Sequence, residues 1–337
     1  MIGDSAVGIV IPNWNGRAFL PVCLTSVFLQ SIPPKDVIVV DNGSSDGSVE
    51  WIRSAFPAVR VIANDRNRGF GAAVNEGIRA CKTPFVFLLN NDTEMAKDCL
   101  ERLLEAVKAY PDCGSFAPKM IDFFDRRLLD GVGDAMGRWG AGYRIGTGEI
   151  DDGRFERFRP VFGPCAGAAL YQRTLFEDIG LFDEAFFAYL EDVDLNFRAN
   201  AAGYRCLYVP TARVYHMGSR SGGGKLGDFV VRLTTRNLIR MIVKQYSAEM
   251  FIRWFPWLAA YQLWWLAVCI RYGRLGAYRQ GLAEAAVAFP KTWGDRVARN
   301  RNRRQNQRLQ EAIRRSEQEI VTSILRRRRQ RRRPFGG

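Results

Sequence analysis

The first 120 residues alternate short apolar runs with helix-like patterns, and this alternation constrains the fold more than any other feature. The apolar runs are β-branched or otherwise apolar along their whole length, which is typical of parallel strands covered on both faces. Such alternation predicts βαβ units and a doubly wound α/β fold with a mostly parallel sheet. The predicted strands are Val7–Ile11, Val37–Val40, Val59–Ala63 and Phe85–Leu89, and the predicted helices are Phe19–Leu29, Gly47–Phe56 and Gly71–Ala80.

A polar segment follows each predicted strand. The carboxyl ends of parallel strands meet at one edge of the sheet, which is where open α/β sheets bind their ligands. Asn, Asp, Gly and Ser also dominate ordinary turns, so one segment alone leaves turn and site as alternatives. Four segments in register favour a shared crevice. The segments are Pro12–Gly16, Asp41–Gly47, Asn64–Gly71 and Asn90–Thr93.

After residue 120 the chain is Gly-rich and charged without clear periodicity, which predicts irregular structure and a hairpin that shapes one wall of the site. Ser45 is a candidate N-cap of the second helix, with Asp46 in its first turn. From Gly163 the pattern sharpens again. It predicts strands at Cys165–Tyr171 and Cys206–Val209 and helices at Thr174–Ile179 and Glu191–Ala202.

The positive charge is concentrated near the C-terminus. Residues 291–337 contain 16 Lys and Arg against 4 Asp and Glu, a net of +12 out of +14, which leaves +2 for residues 1–290. This distribution indicates an appended basic arm and not a nucleic-acid-binding domain. No aromatic residue interleaves with the Arg runs before Phe335, so nucleic acid is not an expected partner. Arg326–Arg329 and Arg331–Arg333 are instead typical of binding to anionic lipid, with RNA or DNA binding or a simple solvated tail as the alternatives.

Cysteine usage and the N-terminus predict a cytoplasmic protein. The seven cysteines are odd in number, scattered and without CxxC spacing, so neither a disulfide framework nor a zinc cage is expected. Reduced thiols fit a cytosolic compartment. The first residues have no basic n-region and only a short apolar stretch, which predicts a first strand and not a signal peptide.

Two later segments have helical character. Phe229–Tyr246 carries a basic stripe, which consists of Arg232, Arg236, Arg240 and Lys244. Trp254–Ile270 has 17 residues without a charge, four of them Trp, whereas a spanning helix needs about 20 apolar residues. Trp-rich, Arg-flanked segments suit lipid headgroups, so we expect an interfacial helix or hairpin, peripheral on the inner face of the cell membrane. A helix packed on the catalytic domain is the alternative.

Five motifs together resemble family 2 glycosyltransferases with the GT-A, Rossmann-like fold, most closely the rhamnosyltransferase-like branch. The motifs are IVIPNWNG, VIVVDNGSSDGS, NRGFGAAVNEGI, FLLNNDTEM and LFDEAFFAYLEDVDLNFRANAAGYRCLYVP. They occur in the family's order between Val7 and Ser221. The resemblance implies an enzyme that takes a sugar from a nucleotide-diphosphate donor, with rhamnose as the favoured sugar.

The resemblance also implies a nucleotide-binding set at the strand ends. Asp41 ends the second predicted strand, where its carboxylate can accept from a ribose hydroxyl or a base N–H, whereas helix capping describes Asp46 better. Arg68, in a Gly-flanked loop, either reaches the base or diphosphate or is a solvated surface residue. The complete set is Pro12, Asn13, Asn15, Asp41, Asn64, Arg68, Asn90 and Asn91.

A metal site is implied at Asn90-Asn91-Asp92, where the family usually carries Asp-x-Asp and binds Mg²⁺ or Mn²⁺ between the donor's phosphates. Divalent cations of this kind prefer oxygen ligands, and this chain keeps only the carboxylate of Asp92. The rhamnosyltransferase-like branch shows the same departure. His216, the single histidine, is placed by the resemblance as a third metal or diphosphate contact; a structural histidine is the alternative.

Glu191 and Asp192 open a predicted helix. Carboxylates in a first helical turn are stabilised by the helix dipole, so simple capping is one interpretation. The resemblance points to Asp192 as the base that removes the acceptor proton in a single inverting displacement. It makes Glu191 the acceptor-side residue, and Asp194 is expected to be structural.

These patterns predict a GT-A catalytic domain over residues 1–225, a helical membrane-associating region over 226–290 and a basic tail over 291–337 that is partly helical or disordered. The predicted function is sugar transfer to a hydroxyl of a lipid-linked or cell-envelope glycan. The alternative is a non-catalytic lipid- or nucleic-acid-binding protein on the same scaffold. A sugar nucleotidyltransferase would need a basic Gly-rich loop after the first strand, which Pro12–Gly16 does not provide.

Overall fold

The computed structural model describes residues 6–218, 226–298 and 301–332. Within these residues the chain forms an α/β fold built on one large mixed sheet and one small hairpin. The strands are β1 Val7–Asn13, β2 Asp36–Asp41, β3 Arg60–Ala63, β4 Phe85–Leu89, β5 Thr93–Met95, β6 Cys113–Asp122, β7 Leu129–Gly131, β8 Asp134–Met136, β9 Gly142–Arg144, β10 Arg159–Val161, β11 Ala168–Gln172 and β12 Arg205–His216. The helices are α1 Leu20–Phe28, α2 Ser48–Ala55, α3 Phe70–Ala80, α4 Cys99–Ala109, α5 Arg173–Ile179, α6 Glu191–Ala202, α7 Asp228–Gln245, α8 Ala248–Arg271, α9 Leu275–Ala298 and α10 Arg303–Arg332.

The N-terminal half of the sheet is parallel, with β3, β2, β1 and β4 side by side in that order. Ile9 and Ile11 of β1 face a core that α1 and α4 cover, and Val10 faces the opposite core, which α3 and α6 cover. Burial of both faces explains why these strands are apolar throughout. The four strands and three helices predicted for this half are confirmed, with shifts of one or two residues at their ends.

The other half of the sheet is mixed. β11 runs antiparallel between β4 and β6, and β12 runs parallel to β6. The strand predicted from Cys165 begins only at Ala168, because the Ala168 N–H closes a turn onto the Cys165 carbonyl at 3.1 Å. β12 continues to His216, well past the predicted end at Val209. The predicted hairpin is confirmed as β8–β9.

The predicted N-cap of α2 is wrong. Gly47 occupies the N-cap position and offers no side-chain acceptor. Ser45 instead donates its backbone N–H to Asn15 Oδ1 at 2.9 Å. Asp46 lies before the helix and accepts the Ser48 N–H at 3.1 Å, so its carboxylate satisfies a free donor at the helix start.

Four helices follow the sheet. α7 packs along α9, and α10 packs on α6 and β8 with Leu309, Ile313 and Ile320 buried. Trp254 and Leu258 on the inner face of α8 join the same core. Among the described residues, no helix is both long and apolar enough to cross a membrane. The predicted limits of the three regions, 1–225, 226–290 and 291–337, stay predictions. The structure does not describe Ser221 or the side chains of Arg327–Arg329 and Arg331–Arg333.

Part of the basic stripe of α7 is used inside the fold and not at a lipid surface. Lys244 is fully buried, and its Nζ lies 2.7 Å from Asp183 Oδ2 and 2.8 Å from Asp194 Oδ1. Arg240 is also buried and lies 3.3 Å from Asp183. Asp194 is thereby structural, as expected, because these ion pairs join α6 to α7.

Candidate active site

A cavity of about 490 Å³ opens at the carboxyl ends of β1, β2 and β4. Residues that follow these strands meet the β8–β9 hairpin and the start of α6 around it, so the predicted crevice and its hairpin wall are confirmed. Eight predicted site residues line the cavity, namely Pro12, Asn13, Asn90, Asn91, Asp92, Glu191, Asp192 and His216.

Side-chain amides organise the β1 end of the cavity. Asn13 donates to Asp41 Oδ2 at 2.8 Å and accepts from Asn91 at 2.7 Å. Asp41 also accepts the Ser44 N–H at 2.9 Å. Asp41 is buried and is not part of the cavity wall. Its observed contacts therefore hold Asn13 and the turn at 41–44 in place.

Three further predicted residues also lie outside the cavity wall. Asn15 holds the turn at 44–45 through its side-chain oxygen. Asn64 donates to Glu76 at 2.9 Å, and Arg68 is exposed, 4.0 Å from Glu184. Their roles in nucleotide binding stay predictions.

Asn42 was missed by the sequence analysis, and it lines the cavity at the end of β2. Its Nδ2 donates to Asn67 Oδ1 at 2.9 Å and to the Gly69 carbonyl at 3.0 Å, and its Oδ1 accepts the Arg68 N–H at 3.1 Å. This buried amide fixes the loop 67–69 on β2. A polar residue directly after Asp41 was the available signal, but turn chemistry explained it equally well.

Asp92, His216 and Asp130 form a line of contacts at one end of the cavity. His216 Nε2 lies 3.4 Å from Asp92 Oδ1, and His216 Nδ1 lies 3.0 Å from Asp130 Oδ2. Burial acts to lower the pKa of His216, but the hydrogen bonds to Asp130 and Asp92 raise it to about 9. Burial acts to raise the pKa of Asp130, but His216 and the charge of Arg144 lower it to about 2.

The Asp92–His216 pair has the donor atoms that a divalent cation requires. A carboxylate oxygen and an imidazole nitrogen face each other across 3.4 Å in the cavity wall. The carboxylate of Asp130 on the second ring nitrogen is the usual partner that orients a histidine ligand. A proton and a cation compete for the same Nε2 lone pair.

A second acidic cluster is neutralised by Arg144. The ligand atoms of Asp134, Cys165 and Asp192 lie within 4.8 Å of one another. Arg144 Nε lies 3.5 Å from Asp134 Oδ1, and its Nη2 contacts Cys165 Sγ. Since the guanidinium already supplies the positive charge, we place no metal there. Burial raises the pKa of Asp134 to about 7, although Arg144 opposes this shift.

Glu191 and Asp192 open α6 at the cavity. Asp192 accepts the Val193 N–H at 2.8 Å and the Ala166 N–H at 3.3 Å, so the backbone orients both of its oxygens. Glu191 is buried, and its Oε2 has no hydrogen-bond partner among the described residues. Burial, followed by the charge of Asp192, raises the pKa of Glu191 to about 8. At neutral pH a protonated carboxyl therefore lies next to the candidate base.

The segment before α6 has a strained backbone. Phe187, Tyr189 and Leu190 have φ values of 63°, 68° and 71°, which cost non-glycine residues about 1–3 kcal/mol each. Asn237 of α7 is fully buried, and its Nδ2 lies 2.8–3.0 Å from three carbonyl oxygens of residues 186–189. Sequence reasoning missed this residue, because its partners lie about 50 positions away along the chain.

Comparisons with known proteins agree with this geometry. The family model described as "Glycosyl transferase family 2" matches residues 8–180. The N-acetylglucosaminyl-diphospho-decaprenol L-rhamnosyltransferase of Mycobacterium tuberculosis (strain ATCC 25618 / H37Rv) is 29% identical over 242 residues, which cover 64% of this chain and 77% of the relative.

Two solved structures are similar in fold. GalNAc-T7 with UDP, GalNAc and Mn²⁺ superposes with a TM-score of 0.60 at 16% identity, over 86% of this chain and 58% of the other. This chain thus spans less than two thirds of that structure's length. The mannosyltransferase PcManGT from Pyrobaculum calidifontis, in complex with GDP-Man and Mn²⁺, gives a TM-score of 0.50 at 19% identity, over 91% and 86%.

The family model and the Mycobacterium tuberculosis relative define the activity class, and the solved structures define the fold, so the protein is a glycosyltransferase of the GT-A fold. The chain belongs to glycosyl transferase family 2, and it is an enzyme that transfers a sugar. The expected likeness to the rhamnosyltransferase-like branch is confirmed. Family membership favours the enzyme over the non-catalytic alternative.

Proposed function

We propose that this enzyme moves rhamnose, with inversion, from a nucleotide-diphosphate donor to a hydroxyl of a lipid-linked glycan. The observation that carries the proposal is one cavity that contains both the Asp92–His216 pair and the Glu191–Asp192 pair. The name of the Mycobacterium tuberculosis relative, which specifies rhamnose and an N-acetylglucosaminyl-diphospho-lipid, supports the choice of sugar and acceptor.

The donor lies along the ends of β1, β2 and β4 in this proposal. Asn13, Asn90 and Asn91 offer amide groups in the cavity wall, which suit the hydroxyls and carbonyls of a nucleotide. Trp14 lies at the same wall and is half exposed, so its ring can cover the base. Asp41 supports the donor indirectly, because it fixes Asn13.

Asp92 and His216 would hold Mg²⁺ or Mn²⁺. When bound there, the cation offsets the charge of the donor's diphosphate and of the departing nucleotide. Asp130 keeps the imidazole aimed at the cavity through the hydrogen bond to Nδ1.

Asp192 is the catalytic base in this proposal. It takes the proton of the acceptor hydroxyl, and the oxygen forms a bond to the anomeric carbon on the side opposite the nucleotide. The bond between that carbon and the diphosphate oxygen breaks, and the nucleotide diphosphate leaves with the electron pair. One displacement inverts the anomeric configuration. Glu191, which is protonated at neutral pH, donates a hydrogen bond to the acceptor.

We also propose that the enzyme contacts an anionic membrane surface through α8. Four apolar side chains, each between 54% and 74% exposed, share one face of this helix at helical spacing. We call this set the α8 apolar stripe; it consists of Ile252, Phe255, Leu263 and Ile270. Arg253 and Arg271 are exposed beside it. An apolar face flanked by arginines suits the headgroup region of anionic lipid.

A transfer assay with dTDP-rhamnose and an N-acetylglucosaminyl-diphospho-lipid in detergent tests the function. The near-isosteric change Asp192→Asn removes the base, so kcat falls by about 10²–10⁴-fold while donor binding is retained. An equal loss of donor binding would remove Asp192 from the role of base. Absence of transfer from every nucleotide-sugar offered, with folded wild-type enzyme, would overturn the proposed reaction.

A further inference from the structure

A second cavity, of about 710 Å³, lies between α7 and α9 and shares Phe187 and Phe229 with the active-site cavity. We call it the α7–α9 groove. The two helices run side by side in the same direction, since Arg236 contacts Glu284 and Arg240 contacts Thr292 further along both. From the active-site end of α7 to the last lining residue of that helix, the groove extends over about 20 Å.

The wall of the groove has an excess of positive charge. Arg232, Arg236, Arg240 and Lys291 line it, and Glu284 is the one acidic lining residue among those described. Glu284 lies 3.4 Å from Arg232 and 3.6 Å from Arg236, so two guanidinium groups share one carboxylate. Burial lowers the pKa of Arg236, and Arg240 and Arg232 lower it further against the opposing charge of Glu284. A bound anion would relieve this repulsion.

Two of these cationic side chains, Lys291 and Arg240, have N–H donors that remain available to a bound anion. Lys291 is exposed and forms no salt bridge with the acidic residues that the structure describes. Arg240 is more than nine-tenths buried and pairs with Asp183 and Asp295, yet its Nε has no hydrogen-bond partner in the described part of the chain. Buried donors of this kind are usually satisfied, so the protein alone does not complete this site.

The remaining wall of the groove is apolar. Ile239 and Val243 contribute from α7, and Val287 and Phe289 contribute from α9. Val287 is 84% exposed, so hydrocarbon is available at the open side of the groove. Positive and apolar groups along one channel match a ligand that joins an anionic group to a hydrocarbon chain.

We propose that the α7–α9 groove binds the diphosphate and the adjoining hydrocarbon of a lipid-diphosphate-linked acceptor. This inference rests on the proposed function, because the acceptor sugar then reaches Asp192 across the edge formed by Phe187 and Phe229. The donor's own diphosphate lies elsewhere, beside Asp92 and His216. The groove therefore explains how one enzyme separates two diphosphate groups, one on each substrate.

Direct binding to the full-length enzyme tests the groove without depending on turnover. The probes are farnesyl diphosphate, farnesol and inorganic diphosphate, titrated by calorimetry. Farnesyl diphosphate binds more tightly than either fragment, because charge and hydrocarbon are both recognised. Equal binding of inorganic diphosphate would reduce the groove to a general anion site and overturn the proposal.

Two groove variants are paired with controls on the same helix. Lys291→Glu reverses an exposed groove cation, and Arg279→Glu makes the same change at an exposed position outside the groove. Ala283→Trp fills the groove, and Ala286→Trp adds the same bulk outside it. Lys291→Glu weakens farnesyl diphosphate binding about tenfold or more, the effect of losing one charge-assisted contact, and Ala283→Trp weakens it because the indole ring occupies the groove. Neither control variant weakens binding. Identical behaviour of variants and controls would overturn the proposal.

Kinetics separate this inference from the proposed function. The groove variants raise KM for the lipid-linked acceptor and leave nucleotide binding and kcat at saturation unchanged. If wild-type enzyme transfers sugar but the groove variants keep the wild-type KM, the groove inference alone is wrong. If farnesyl diphosphate binds in the groove but no sugar transfer occurs, the ligand class stands and the proposed reaction is wrong.

Discussion

At the scale of single residues, His216 and Asp134 in the cavity wall each have a neighbour that sets their orientation or offsets their charge. Asp130 orients His216 toward Asp92, and Arg144 neutralises Asp134. In the described part of the chain Glu191 Oε2 has no hydrogen-bond partner, and burial, followed by the charge of Asp192, raises the pKa of this carboxyl to about 8, so that it is protonated at neutral pH. A buried acid without a partner is costly to ionise, which is typical of a group placed for function.

The raised pKa of Glu191 makes stability depend on pH. The pKa of Glu191 rises from its usual value of 4.5 to about 8 in the folded enzyme. The folded enzyme therefore binds this proton more tightly than the unfolded chain does. The contribution of Glu191 to the free energy of unfolding therefore falls as the pH rises from 4.5 to 8 and above. Glu191→Gln removes this titration. The free energy of unfolding of the variant, relative to that of wild type, is therefore higher at pH 8 than at pH 5 by at least about 1.4 kcal/mol. Urea unfolding at both pH values measures this gain, and a difference that does not change with pH contradicts it.

At the scale of elements, α7 supports helix α6, which carries the proposed base, and the strained segment that precedes it. Asn237 donates to three carbonyl oxygens of that segment, and Lys244 bonds to Asp194 inside α6. These contacts fix the direction in which α6 begins, and hence the positions of Glu191 and Asp192. Asn237 is thus a positioning residue and does not touch the reacting atoms.

Asn237→Asp keeps the shape of this side chain but removes its N–H donors. The carbonyls of Ala188 and Tyr189 lose this donor, while that of Phe186 keeps Arg236, and the loss lowers the free energy of unfolding by about 1–3 kcal/mol. In addition, kcat falls while KM for the donor is retained, because the donor contacts lie at the strand ends. Exposed Gln307→Ala on α10 is the control. A loss of stability without any change in kcat would show that Asn237 has no positioning role.

The sequence predicted the parallel strands well, because their burial on both faces leaves an uninterrupted apolar run in each. Strand ends converge by topology, and this located five of the cavity-lining residues, namely Pro12, Asn13, Asn90, Asn91 and Asp92. The family resemblance located three more, namely Glu191, Asp192 and His216. Sequence reasoning did not find Asp130, Arg144 or Asn237, whose partners lie far away along the chain. It found the basic stripe of α7 but not the acidic residues that pair with Arg240 and Lys244, because those partners are distant along the chain.

At the scale of the whole molecule, the sheet that carries the candidate active site and the proposed membrane contact on α8 belong to the same chain. The inner face of α8 packs on the core that contains Tyr246, while the α8 apolar stripe faces outward. α9 joins α8 to α7, so the groove lies next to the proposed membrane contact. This arrangement would keep the active site close to acceptors that remain in the bilayer.

Vesicle binding checks this orientation. The enzyme co-sediments with phosphatidylglycerol vesicles, and less with phosphatidylcholine vesicles, because arginines flank the α8 apolar stripe. The double change Ile252→Ser and Leu263→Ser weakens binding several-fold, since each removes about 2 kcal/mol of apolar burial. Leu29→Ser, at a similarly exposed position directly after α1, is the control. Equal retention of all three proteins on vesicles would rule out the stripe as the contact.

The most direct test of the account is calorimetric titration of dTDP, UDP and GDP, with and without Mn²⁺, into wild type and Asp92→Ala. Asp125→Ala, at an exposed carboxylate away from the cavity, is the control. We predict that one nucleotide binds, that Mn²⁺ tightens its binding, and that Asp92→Ala removes the Mn²⁺ effect with a loss of about tenfold. No binding of any nucleotide to folded enzyme, or an unchanged Mn²⁺ effect in Asp92→Ala, would contradict a donor site in this cavity.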